Sequence, residues 1–449
     1  MNALTVHADT RLATPTATRH APADRVVLVH DYYHNGQDAE SVIELSGLAQ
    51  AAGTIVCAYV RCGRGSRHRK TFIGPGKLLE VADTVRRHSA TLVIFESQIS
   101  PIQERNLAQE LNCPVIDRVR LVLDIFALRA RTSEGKLQVE LAQLQHLSTR
   151  LVRGWSHLER QRGGIGLRGP GEMQLETDRR LLGQRMRTLR RQLDRVRSQR
   201  TLHRRHRQRK PIPLVSLVGY TNAGKSCLFN RLTDSQVYVA GQLFATLDPT
   251  IRRIDLPGFG PVLLSDTVGF IRELPHSLVE AFRATLEEVA ASQLLVHVVD
   301  FCQPDYRERI SEVESVLGEI GALDIPRMIV FNKIDLTADG PDVVNAGSGL
   351  PAKLWLSAAT GAGTEMFQQA LLQYLGGDRK VRRLRLNAGN GKFRARVYEW
   401  AEVRREWLDG EGNWFLDVLM DDATVGRLES LRQSEKDLVW MDREDKLCT

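Results

Sequence analysis

Cysteine is scarce, with six in 449 residues, and none of the six (57, 62, 113, 227, 302 and 448) stands at metal-ligand spacing from another. That leaves no zinc-finger or disulfide framework and points to reduced, structural thiols of a cytosolic chain. Long apolar runs are lacking as well. No stretch approaches the ~20 residues that cross a bilayer, and the N-terminus has no hydrophobic signal core. The chain reads as cytoplasmic with no membrane span, any membrane association being peripheral. Acidic residues are nearly missing from one place: residues 178–210 hold 14 Lys/Arg against two Asp, a net +12. The whole chain carries +8, so the remainder nets −4. One segment makes the protein basic, which implies a polyanionic partner at a defined place.

What is present starts with Gly219-Tyr220-Thr221-Asn222-Ala223-Gly224-Lys225-Ser226. An apolar run, Leu214–Val218, precedes it and a helical pattern from Cys227 to Leu232 follows. Strand, glycine loop and helix is the context that a phosphate-binding P-loop requires. Gly219 and Gly224 let successive N–H groups point inward at phosphate oxygens, and the helix N-terminus adds partial positive charge. Lys225 would reach the β- and γ-phosphates, and the Ser226 hydroxyl would ligate Mg²⁺. A tight strand–helix turn could match the spacing by accident, but the flanking pattern argues against that.

Further strands then choose the nucleotide. Arg327–Phe331 reads as a buried strand ending in Asn332-Lys333-Ile334-Asp335. Asp335 can accept from both N1–H and the exocyclic amine of guanine, whereas adenine would leave it unpaired. Lys333 can lay its stem along the base, and Asn332 can bridge to the P-loop. Leu354–Leu356 leads into Ser357-Ala358-Ala359, where a backbone N–H could meet guanine O6. Val262–Ser265 leads into Asp266-Thr267-Val268-Gly269. There Asp266 fits a water-mediated Mg²⁺ contact and the Gly269 N–H a γ-phosphate contact. Ligands of open parallel sheets bind at the carboxyl ends of strands, so these pieces in order point to GTP and GDP. Phe244-Ala245-Thr246-Leu247-Asp248 lies where a first switch loop belongs. Thr246 is the candidate second Mg²⁺ ligand, with Thr250 the alternative. Lys225, Thr246, Asp266 and Gly269 are thus the candidate catalytic set. Phe270 follows Gly269, and an apolar ring cannot position a nucleophilic water.

The rest of the chain divides around this unit. Residues 1–24 read as a disordered tail. Residues 25–132 alternate apolar runs (Val26–His30, Thr54–Ala58, Thr91–Phe95, Cys113–Ile116) with amphipathic segments, the mark of a small parallel sheet flanked by helices. Within it, Gly74-Pro75-Gly76-Lys77 looks like half a phosphate loop, but no convincing strand directly precedes it. Residues 120–160 read as helical. Over 133–210, Leu137, Leu141, Leu144, Leu147 and Leu151 face Leu182, Met186, Leu189, Leu193 and Val196. Heptad stripes want partners, so this is an antiparallel helical hairpin with a glycine-rich tip at 161–175. A solvated face is the usual fate of a charge run, but fourteen cations with almost no acids would repel one another without a polyanion. Arg162 and Arg168 at the tip, and Arg187, Arg190, Arg191 and Arg197 on the helix, are the candidate RNA contacts. Residues 211–376 hold the nucleotide motifs. Residues 377–431 suggest a small α+β domain that reveals no chemistry, and 432–449 a loose charged tail. The fold class is α/β: a small parallel α/β N-terminal domain with a long antiparallel helical hairpin, a P-loop GTPase domain and a small C-terminal α+β domain.

Taken with the hairpin, the strings Asp124-Ile-Phe-Ala127, Glu134–Gln143, Arg168-Gly-Pro-Gly-Glu172, Gln174–Arg180, Gly219–Ser226, Phe244–Thr250 and Asp266–Phe270 resemble the HflX-type family of ribosome-associated GTPases. The resemblance runs from about residue 26 to 376 and more loosely beyond. It implies a Mg²⁺-dependent GTPase, expected as a monomer, that binds the large ribosomal subunit near the peptidyl-transferase region and is stimulated there. Ribosome splitting or rescue under stress is the implied role. A nucleotide-gated RNA-binding module with incidental hydrolysis and a ribosome-assembly GTPase are the alternatives. Asn222 matches an asparagine that, in a group of GTPases, helps hold K⁺ against the phosphates in place of an arginine finger. Leu167, Met173 and Cys227 stand where the family usually has Thr, the first two in or beside the hairpin tip.

Overall fold

Val/Ile/Leu-rich runs with no alternation build sheets buried on both faces. Four of them, β1 (Arg25–Tyr32), β2 (Ile55–Gly63), β3 (Leu92–Phe95) and β4 (Val115–Asp117), make an N-terminal sheet in the order β2-β1-β3-β4, parallel throughout. The computed structural model describes residues 24–32, 38–63, 68–155, 170–207, 212–233, 243–257, 259–272, 286, 288–344, 353–376, 380–387, 389–420, 422–432 and 438–441. On one face, α2 (Pro75–His88) and α3 (Pro101–Leu111) cover Val27, Val29 and Val93. On the other, α1 (Asp38–Ala51) and α4 (Arg118–Arg129) cover Val26, Leu28 and Ile94. That second cluster also takes in Phe244, Leu247, Val268 and Ile271 from far down the chain. The Gly74–Lys77 string is a plain helix start: Gly74 caps α2, and Lys77 pairs with Glu80 at 2.7 Å.

The expected helix over 120–160 is interrupted at Ala130–Thr132, where Thr132 caps a new helix, α5 (Ser133–Trp155). Its antiparallel partner α6 (Pro170–Arg207) has 38 residues. Leu141, Leu144, Leu182, Leu189 and Leu193 form the seam, with Leu137 and Met186 beside it. Leu147 is not part of it and stays 37% exposed, because α5 there turns toward the N-terminal sheet. One turn on, Arg150 pairs with Glu104 and with Asp117 (3.2 Å). The Leu151 side chain and the segment 156–169, with Arg162 and Arg168, lie outside the described residues.

The second sheet runs β10-β11-β9-β8-β5-β7-β6, from β5 (Leu214–Val218), β6 (Thr250–Leu256), β7 (Gly260–Asp266), β8 (Leu294–Asp300), β9 (Arg327–Asn332), β10 (Asp342–Val344) and β11 (Lys353–Trp355). Its five inner strands are parallel and both edges antiparallel. A third sheet is antiparallel, in the order β13-β14-β12-β15: β12 (Lys380–Leu386), β13 (Glu402–Leu408), β14 (Trp414–Met420) and β15 (Leu438–Met441). β15 falls within the stretch expected to be a loose tail; its apolar Leu438–Met441 run pairs with β12 and carries the sheet past 431. No helix among the described residues is long and apolar enough to cross a membrane.

Candidate nucleotide site

The cleft lies where β5 gives way to α7 (Lys225–Thr233). Gly219 (φ +143°) and Gly224 (φ +93°) both take left-handed backbone, and a Cβ on either would strike Val298 or Asn332. Lys225, 6% exposed, folds back and donates to the carbonyls of Gly219 (3.0 Å) and Tyr220 (2.8 Å). Those are the bonds a lysine makes while no phosphate competes for it. Burial pushes its ammonium down to about 8, against the pull of Asp266.

Three oxygen-bearing side chains converge beside it. Ser226 Oγ donates to Asp266 Oδ2 at 2.6 Å, Thr246 Oγ1 to the same oxygen at 3.0 Å, and the two hydroxyls are 2.7 Å apart. Burial raises the Asp266 carboxyl, while Ser226, the Lys225 charge and Thr246 hold it down. Its Oδ1 is buried and has no partner among the described residues. An all-oxygen donor set with an orphaned carboxylate oxygen fits Mg²⁺ and suits softer metals poorly. Among the described residues no cluster of three His, Cys, Asp or Glu offers an alternative metal site. Of the two threonines considered as a second ligand, Thr246 lies beside Ser226 and Asp266, and Thr250 begins β6.

Gly269 sits so close to Thr221 and Lys225 that a Cβ would clash with both. The next residue pins the loop: Phe270 N donates to Gly219 O (3.2 Å), and Thr221 N to Phe270 O (2.8 Å). The Phe270 ring is buried with Val218, Val289 and Leu295. Asn222 (φ +61°) is exposed at the mouth of the cleft.

On the base side, Asn332 donates from Nδ2 to Ala223 O (2.9 Å) and accepts from Ala358 N (2.8 Å). It therefore ties the P-loop to the Ser357–Ala359 loop. Ser357 Oγ donates to Asp335 Oδ1 at 2.5 Å and holds the carboxylate edge-on. Ile334 is buried below them. Two residues that sequence reasoning missed complete this side. Asp300, at the carboxyl end of β8, pairs with Lys333 Nζ at 2.7 Å. Arg231 of α7 donates to Ala359 O at 2.5 Å. Asp300 had the same signal as the others, an acid ending a buried parallel strand.

The expected first switch loop divides its side chains between two partners. Ala245 and Thr246 line the cleft. Phe244 (φ +56°) borders the cleft with them, while its ring meets Phe126 of α4 edge-on, ring centroids 4.6 Å apart, and Leu247 is buried in the same N-terminal cluster. Each such side chain contributes about 1.5–3 kcal/mol by burial. Asp248 turns outward to the start of α5: its Oδ2 accepts from Arg131 N and Thr132 N (both 2.9 Å), and its Oδ1 from Thr132 Oγ1 (2.6 Å). A carboxylate at a helix N-terminus also gains from the helix dipole. Tyr220 behaves similarly. It donates to Glu44 of α1 (2.9 Å) and accepts from Arg272 N (2.7 Å), and Arg118 of α4 spans Glu44 and the Arg272 carbonyl. Val268 lies in the N-terminal cluster too, while Thr267 Oγ1 donates to Leu217 O.

Comparison with known proteins agrees with this geometry. Residues 39–127 match the family described as GTP-binding GTPase N-terminal, 129–207 its middle region, and 214–333 the 50S ribosome-binding GTPase family. GTPase HflX of Escherichia coli (strain K12) is 50% identical over 403 residues, covering 90% of this chain and 95% of that one. The chain belongs to the HflX GTPase family. GTPase HflX of Magnetococcus marinus is 43% identical over 86% of this chain and 89% of its own. Among solved structures, a GDP complex of a GTP-binding protein from Sulfolobus solfataricus covers 78% of this chain and 98% of its own, at 23% identity and a TM-score of 0.43. As an HflX-family member the protein binds guanine nucleotides and hydrolyses GTP; Lys225, Ser226, Thr246 and Asp266 lie together in the cleft.

Proposed function

We propose that this HflX-family GTPase attaches to the large ribosomal subunit in its GTP state and lets go after hydrolysis, in ribosome splitting or rescue under stress. The observation that carries this reading is Asp248, one residue of the first switch loop bonded to the N-terminus of the hairpin helix α5. Thr246, two residues earlier, meets the Mg²⁺ donor set. Loss of the γ-phosphate frees Thr246, moves Asp248, and so changes the footing of α5 and of the basic helix packed on it. Bound Mg²⁺ would offset the charge on the phosphates as it builds during hydrolysis. Ser226 and Thr246 would hold it directly and Asp266 through water. Arg187, Arg190 and Arg191 are exposed on α6, where cations meet RNA phosphates. Asn222 is the candidate K⁺ partner at the phosphates.

The buried Phe270 ring favours a second reading, a nucleotide-gated RNA-binding module whose own hydrolysis is slow. GTP turnover titrated with purified large subunits, in K⁺ and in Na⁺, separates the two. Stimulation by subunits supports the first. GTP-dependent attachment without stimulation supports the second, and equal rates in both salts dismiss the K⁺ role.

A further inference from the structure

The C-terminal sheet has one face too many. Strand, helix, strand, strand, helix, strand is the split βαβ arrangement, and both helices, Gly391–Trp400 and Asp422–Arg432, pack on the same side. There Phe393, Val397, Val425 and Leu428 bury Leu384, Leu386, Leu416 and Val418. Alternation along the strands sends the other residues to the opposite face. Register places Trp407, Phe415 and Arg385 in one row across β13, β14 and β12. Arg405, Asp417 and Arg383 form the next. On β15 the same rows end in Val439 and Met441; over β13, β14 and β12 they carry rings and guanidinium groups where a face awaiting a second layer would carry aliphatic side chains. Trp407 and Phe415 stack at 5.6 Å with 13° between planes. Arg383 lies 5.0 Å over Trp407 and Arg385 5.9 Å from Phe415. Asp417 holds Arg383 by two bonds (2.8 and 3.2 Å), and Glu411 meets Arg385 at 3.4 Å. Arg405 is exposed.

We propose that this face, with Arg383, Arg385, Arg405, Trp407 and Phe415, binds single-stranded RNA. Split βαβ sheets serve many ends, so the face and not the fold is the argument. Flat rings side by side on the edge strand β13 and its neighbour β14 suit unpaired bases, which stack on aromatic side chains and on arginine planes. Exposed Arg405 supplies charge toward the phosphates, while Asp417 and Glu411 hold the Arg383 and Arg385 guanidinium planes in place beside the rings. A duplex hides its base faces within its own stack, and an acidic peptide would use the arginines while ignoring the rings. The site is separate from the hairpin and does not depend on its role.

The test uses the full-length GDP-bound protein with Arg187, Arg190 and Arg191 changed to Glu, so that α6 is silent. Binding of a labelled ten-nucleotide oligouridylate is compared with that of an RNA duplex of equal length and of polyglutamate. The single strand should bind best. Trp407→Leu and Phe415→Leu should each weaken it about tenfold, Phe415→Tyr should restore it, and Arg405→Ala should lower its salt dependence. Ultraviolet crosslinking should map uridine to the peptides holding Trp407 or Phe415. Should a leucine variant fail to fold, the crosslink map and Arg405→Ala decide. Equal binding of single strand and duplex with the ring variants unaffected, polyglutamate binding as tightly, or crosslinks only elsewhere would each overturn the proposal.

Discussion

The nucleotide cleft and helix α6 solve opposite problems with the same kind of residue. Around the cleft, cations are few and held at fixed distances: Lys225, which is buried, by two carbonyls, Lys333 by Asp300, Arg231 by the Ala359 carbonyl. Along α6, cations are many and exposed, and only a narrow leucine seam fixes the helix to its neighbour. A buried charge earns its effect through geometry, since each partner lost leaves an uncompensated group. An exposed row of charges acts through number, and its effect fades with salt.

That contrast can be broken most sharply at Lys225. Lys225→Ala should weaken GTP binding on the order of a hundredfold to a thousandfold, the scale for truncating one partner of a desolvated charge pair. Titration of a fluorescent guanine nucleotide would check it. Asp335→Asn should follow, lowering GTP affinity on the order of a hundredfold and leaving weak ATP binding unchanged, because guanine loses its paired acceptor. Ser357→Ala, which removes only the bond orienting that carboxylate, should cost less, about tenfold. Glutamate at Arg187, Arg190 and Arg191 together should weaken attachment to large subunits and reduce the salt slope by roughly one unit per cation. GTP affinity should be untouched, and an unchanged slope would remove α6 as the RNA face.

The smallest effect concerns pH. Burial holds Lys225 near 8 in the empty cleft, and bound phosphate favours the charged form, so binding takes up a proton above that value. GTP affinity should therefore fall as pH rises, by about fourfold between pH 7 and 8.5 if Lys225 alone titrates. The same group makes the empty protein gain stability as pH climbs from about 8 toward the ordinary lysine value, since the unfolded chain then binds the extra proton. Nucleotide titrations across that window would show whether the two trends run in opposite directions.

The sheets, the P-loop and the guanine-side residues were legible in the sequence because strand pattern and residue type coincide there. Asn332 ends β9, and Asp335 and Ser357 follow β9 and β11 within three residues, where residue types suited to guanine could be looked for. Phe244, Leu247 and Asp248 were harder. They were read as nucleotide contacts from their place in a switch loop, yet their side chains face Phe126 and Thr132, more than a hundred positions away in the chain. No local pattern reports a partner at that distance. The break at Ala130–Thr132 left a faint trace, since Thr132 is a good N-cap residue, but no Gly or Pro marks it. β15 was hidden for a different reason: four apolar residues among charges look like a tail until β12 offers them a ladder.

One detail of the joint between the switch loop and α5 sets how faithfully it transmits. An added Cβ at Gly135 would collide with the Asp248 carboxylate, so the two surfaces meet with no clearance between them. A linkage without slack does not absorb small displacements; it hands them on undiminished. A single methyl group at position 135 would act as a shim, prying the loop from the helix without substituting any residue of the cleft.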